Sequence, residues 1–135
     1  MNRKINNICK VTFYPVERLA SEETYPGLDT VKFTGEGESV EVTAAQFEEV
    51  DMASSECEQS FNGVVTDTSG TKSLAVFNIC ARLGLLELTL STNEKLVVGS
   101  TEFPVVLIAS REGSPMRYRL SFRRNSAERA KYRVF

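Results

Sequence analysis

The amino-acid sequence predicts a mostly β protein: an antiparallel sandwich or partly open barrel with one short helix at about residues 74–83. Two observations lead there. Short segments in which apolar and polar residues alternate recur along the chain, about seven or eight of them, with turn residues between. One stretch alone sets its apolar residues at helical spacing. With 135 residues, no internal repeat and no low-complexity linker, the chain reads as a single domain spanning 1–135. That length buries a core without disulfides or metal.

Residues 9–14 (CKVTFY) open the series: Cys9, Val11 and Phe13 share one face of a half-buried strand that Pro15 stops. Residues 15–27 are acidic and rich in turn formers and read as a loop, with at most a short helical turn. Residues 31–34 (VKFT) and 40–43 (VEVT) alternate again, and 35–38 (GEGE) supply the positive-φ positions of a hairpin loop between them. Residues 44–58 stay open between two readings. Thr43 and Gln46 have capping-box spacing for a helix over 44–51, whereas Val50 and Met52 alternate with acids as in an exposed strand. The weight falls on strand or irregular structure. Cys57, Gln59 and Phe61 then suggest a further edge strand running toward Val64 and Val65.

Residues 69–72 (SGTK) turn, and Ser73 is placed to cap the helix. Within it Val76, Phe77, Cys80 and Leu83 fall on one face, and Gly84 stands where a glycine after the helix end belongs. Residues 86–91 (LELTLS) form the strongest strand, leucines on one face. A turn at 92–94 follows, in which Asn93 tolerates the left-handed conformation, and 95–99 return. Residues 104–109 (PVVLIA) lack alternation and read as a central strand covered on both faces, with Pro104 at its start. Residues 111–116 form a loop with Gly113 and Pro115. In 117–123, Tyr118, Leu120 and Phe122 face in while Arg117, Arg119 and Arg123 face out. The tail makes a polar turn and a last strand with Tyr132 and Val134.

Composition removes function classes. The chain has no histidine, so it lacks the commonest general base, the commonest metal ligand and every Ser-His or Cys-His triad. Cys9, Cys57 and Cys80 are odd in number and far apart, which fits reduced thiols of a cytosolic protein better than a zinc site. Residues 68–73 (TSGTKS) approach the end of a phosphate loop, but Thr71 separates Gly70 from Lys72, and a surface turn before a helix is the better reading. Glu48, Glu49, Asp51, Glu56 and Glu58 lack calcium-loop spacing and read as a solvated acidic face. No motif activates a nucleophile. The expectation is a protein that is not an enzyme, with no catalytic, cofactor or metal-binding residues and no small-molecule substrate. No apolar run approaches the roughly 18 residues of a membrane span, and the first residues carry no apolar signal region, so neither membrane nor secretion is expected.

Charge is uneven. Residues 1–70 hold 5 basic and 13 acidic residues, and residues 71–135 hold 11 basic and 5 acidic. Arg117, Arg119, Arg123 and Arg124 are the candidate interaction stripe; side chains two apart on a strand project together over roughly 20 Å. Three readings compete: charges that guard a sheet edge, a protein partner or self-assembly between basic and acidic faces, and phosphate tracking along a nucleic acid. Tyr118 lies opposite the arginines in the alternation, which argues against base stacking beside them.

From about residue 57 to the end, the chain resembles small proteins encoded in prophages of Bacteroidetes-type bacteria, among virion and tail genes. Glu56 to Phe61, the short helix, the Asn93 turn, the block 98–104 (VGSTEFP) and 118–122 (YRLSF) carry the resemblance. In that family glycine follows the turn asparagine, where this chain has Glu94. The resemblance implies a non-enzymatic structural or assembly protein, a tail or connector component in the bacterial cytoplasm or in a phage-like particle. It supplies no active site. Glu102, Phe103 and Pro104 read as a turn that feeds a buried strand.

Overall fold

Two sheets and one α-helix form the protein in a computed structural model that describes residues 2–25, 29–113 and 115–134. In chain order the elements are β1 (Arg3–Ile5), β2 (Ile8–Pro15), a 3-10 turn (Val16–Arg18), β3 (Leu19–Thr24), β4 (Thr30–Gly35), β5 (Glu38–Glu41), β6 (Ala44–Asp51) and β7 (Cys57–Val65). Then come α1 (Gly70–Ile79), β8 (Gly84–Leu90), β9 (Lys95–Val98), β10 (Ile108–Glu112), β11 (Arg117–Ser126) and β12 (Lys131–Arg133). One sheet runs β1-β6-β7-β11-β10, the other β3-β4-β12-β9-β8-β2-β5. All pairings are antiparallel except β12 with β4.

Period-two patterning builds the main core. In β6, Ala45 and Phe47 face inward, and in β7 Phe61 and Val65 do; Leu120 and Phe122 of β11 join them. From the other sheet Val11, Phe13, Leu86, Leu88, Leu96 and Val98 meet this layer, and Val76 and Ile79 of α1 close it. Each large apolar side chain fully buried here contributes about 1.5–3 kcal/mol before entropy is counted. The seven-stranded sheet curls on its other face into a half-barrel. Tyr14 of β2 and Phe33 of β4 stand several strands apart, yet their rings meet edge-on at 4.9 Å. Val31, Leu85 and Val97 pack with them in this second, smaller core.

Several local expectations are corrected. The stretch 15–27 contains β3, which pairs with β4; Pro26 and Gly27 of that expected loop lie outside the described residues, as does Ser114 of the loop at 111–116. The 35–38 loop does not join paired strands: β4 pairs with β3 and β12, β5 with β2, and the loop bridges two ends of the curled sheet. Gly37 is required there, because a Cβ would lie 2.7 Å from the Tyr14 ring. Residues 44–51 are a strand, the reading the sequence favours over a helix, whereas β7 is central rather than an edge.

The helix begins four residues before the expected start. Asp67 accepts the Ser69 N–H at 3.1 Å, and Ser73 Oγ donates back to the Thr68 carbonyl at 3.2 Å instead of capping. Its buried residues are Ala75, Val76 and Ile79, so Phe77 and Leu83 are exposed and Cys80 is half-buried. Gly84 opens β8, where a Cβ would stand 2.4 Å from the Tyr14 carbonyl. A bulge between Ile8 and Lys10 takes Cys9 off the face of Val11 and Phe13. Residues 104–109 are not a central strand: Val105 makes one bridge to Gly84, and β10 is an edge with Ile108 64 % exposed. Asn93 turns in the left-handed region at φ 71° as its sequence suggests.

Candidate protein-contact face

The five-stranded sheet turns one face to the core and the other outward, and the outward rows follow from the register. Gln46, Asn62, Ser121 and Ile108 stand in line across β6, β7, β11 and β10. Lys4, Glu48, Ser60 and Arg123 form a neighbouring row across β1, β6, β7 and β11. Ala44, Val64, Arg119 and Ser110 form another. Small side chains in the middle and longer ones around them leave an open groove of about 790 Å³.

Arg117, Arg119 and Arg123 project from this face as the alternation of 117–123 requires. Arg119 meets Glu112 at 2.8 Å and donates to Asn62 Oδ1 at 2.7 Å; Arg117 Nε reaches the same Glu112 oxygen at 3.4 Å. Arg123 pairs with Glu58 at 2.8 Å. The Arg119 hydrogen bond, with help from Arg117, holds the Glu112 carboxyl below its usual pKa and raises that of Arg119. On the strands of this face Lys4, Arg117, Arg119 and Arg123 stand against Glu48, Glu58 and Glu112, a net of +1. β11 is flanked by β7 and β10, so its arginines do not guard a sheet edge.

Arg124 leaves the stripe. It faces the other side of β11, where Nε donates to Gln59 Oε1 at 2.9 Å and Nη1 to the carbonyls of Phe103 and Pro104 at 2.7 and 3.0 Å. Burial lowers its pKa. Its function is to clamp the 98–104 block, whose turn is closed by Ser100 Oγ accepting the Phe103 N–H at 3.0 Å.

Among the described residues two buried ionic clusters lie away from this face. Glu49, expected on a solvated acidic face, is wholly buried. Its carboxylate accepts Gln59 Nε2 at 2.8 Å, the Ala130 N–H at 2.8 Å and Arg129 Nη1 at 3.2 Å. Arg129 also pairs with Asp51. Cys57 lies beside this cluster, its thiol donating to the Ser126 carbonyl at 3.5 Å; burial first, then Glu49, raises its pKa. In the half-barrel Glu87 is equally buried and meets Arg133 at 2.7 Å and Lys95 at 3.6 Å. The Arg133 guanidinium lies 4.0 Å over the Phe33 ring and donates to Tyr14 Oη at 3.0 Å. Burial opposes its charge, yet the bonds to Glu87 and Tyr14 outweigh it and raise the pKa. A signal existed for the first cluster: Glu49 shares the parity of Phe47, and Gln59 that of Phe61.

These pairs join the acidic and basic parts of the sequence inside one molecule: Asp51, Glu49 and Glu58 meet Arg129 and Arg123. No helix among the described residues is long and apolar enough to cross a membrane. Family models, curated proteins and solved structures give no match to this chain.

Proposed function

We propose that this chain is a non-enzymatic structural or assembly protein that acts through protein contacts, as the resemblance to prophage virion and tail proteins implies. The supporting observation is the charge state of its broad outward face. Arg117, Arg119 and Arg123 are each engaged by Glu112 or Glu58, and small hydroxyl and amide side chains lie between them. A phosphate-tracking surface draws its affinity from cations that release counterions, and paired arginines at a net of +1 give little of that term. A protein partner, by contrast, is recognised through hydrogen bonds and complementary charge at such a polar face.

Density-gradient fractionation of phage-like particles from the source cells tests the proposal. The chain is expected in the fractions that hold particles or their precursors, alongside other virion proteins. Its complete absence from those fractions contradicts the proposal.

A further inference from the structure

Among the described residues four strands form the sheet edges, and three of them are blunted in recognisable ways. β1 has three residues and carries Arg3 and Lys4; β3 is bulged between Leu19 and Ser21; β5 is short and flanked by α1, with Asn78 Nδ2 donating to Glu38 at 3.4 Å. β10 has five residues in unbroken register with β11, contains neither proline nor bulge, and its two charges, Arg111 and Glu112, are of opposite sign, unlike the two cations of β1.

The direction of its free backbone groups follows from two separate observations. Met52 donates its N–H to Glu56 at 2.9 Å, which fixes the even residues of β6 and β7 as the bonded pairs. By alternation the odd residues of β7 then bond to β11, and Ile108, Ser110 and Glu112 are the β10 residues that bond to β11. Ala109 and Arg111 therefore point their N–H and C=O groups outward. Leu107, of the same parity, turns its carbonyl away from β11 to accept the Ala81 N–H at 2.9 Å, which agrees and marks where the open edge begins.

We propose that β10 pairs with β10 of a second copy of this chain, antiparallel about a two-fold axis at Ser110. Ala109 and Arg111′ then exchange both backbone hydrogen bonds on each side of the axis, four in all. Arg111 faces the small Ala109′, and Glu112 faces Ile108′, so no like charges oppose. Centring on Arg111 sets two guanidiniums face to face. Centring on Ala109 requires the Leu107 carbonyl that Ala81 already occupies. The resulting contact is self-complementary and closed, and it joins two five-stranded sheets into one of ten strands.

The inference rests on the assembly reading and names its partner as a second copy. A chain that enters particles without pairing through β10 fails here alone; a paired chain absent from particles fails the earlier reading. The test is disulfide trapping in a Cys9→Ser background, since Cys9 is exposed. At the axis Ser110 and Ser110′ form a non-hydrogen-bonded pair with Cα atoms about 4.5 Å apart, within reach of a disulfide. Ser110→Cys is expected to oxidise to a dimer, whereas Ile108→Cys remains monomeric. Light scattering of the unmodified chain is expected to give twice the 15.0 kDa monomer mass. Ala109→Pro removes an outward N–H while sparing the β11 ladder, and is expected to give a folded monomer by circular dichroism. A monomeric unmodified chain, or trapping no faster at 110 than at 108, overturns the proposal.

Discussion

The last third of the chain carries two kinds of arginine. Arg117, Arg119 and Arg123 lie on the outer face of the five-stranded sheet in ion pairs within reach of solvent; Arg119 is 35 % and Arg123 74 % exposed at the side chain. Arg124 and Arg133 are turned inward, and each ties elements that are distant in sequence. Arg124 links β11 to β7 and to the 98–104 block, and Arg133 links β12 to β8, β2 and β4. The same residue type is a surface feature in one place and a structural lock in the other. Desolvation makes the difference: a buried charge without its partner is costly, while an exposed one is rehydrated.

The largest effects therefore belong to the locks. Arg133→Ala leaves Glu87 buried with Lys95 alone, and a loss of about 3 kcal/mol is expected, near the low end for breaking a buried pair. Urea denaturation measures it. Arg124→Ala strands the Gln59 amide oxygen and the Phe103 and Pro104 carbonyls, and about 2 kcal/mol is expected. Proteolysis within 98–104 is expected to quicken in that variant, a readout that separates release of the clamp from uniform destabilisation. Arg123→Ala is expected to change stability by no more than about 0.5 kcal/mol. A loss equal to that of Arg133→Ala would erase the distinction between the two kinds.

The smallest effect is a pH dependence. Glu112 has its carboxyl pKa held down by Arg119, so its contribution is present above the ordinary value of 4.5 and is lost as pH falls through the lower folded value. Below pH 4.5 the β10–β11 hairpin is expected to loosen, seen as faster amide exchange in β11 at Arg117 and Arg119, and Glu112→Gln is expected to remove that pH response.

Much of this contrast was legible in the sequence, because it rests on parity. The alternation of 117–123 places three arginines outward; the same rule turns Arg124 inward, although the run of basic residues groups it with the stripe. Glu49 and Gln59 carried a parity signal too, sharing the face of Phe47 and Phe61, but acidic neighbours pointed to a solvated face. What the sequence left hidden is long-range. Gly35 and Gly37 mark a tight connection without revealing that it bridges a curled sheet. Nothing local in 131–133 indicates that β12 inserts between β4 and β9 and carries Arg133 to Glu87. At the helix, the start lies at Ser69, and Ser73 is engaged with Thr68 and Tyr118 instead of capping. Ile108 and Val106 look like core residues until β10 is known to be an edge.

In the proposed function the outward arginines serve protein contact and not phosphate. The direct measurement is a titration of labelled single- and double-stranded DNA by fluorescence anisotropy at about 50 mM salt, where phosphate contacts are strongest. No binding is expected for the unmodified chain. Binding that weakens steeply with salt and disappears in Arg119→Glu would contradict it.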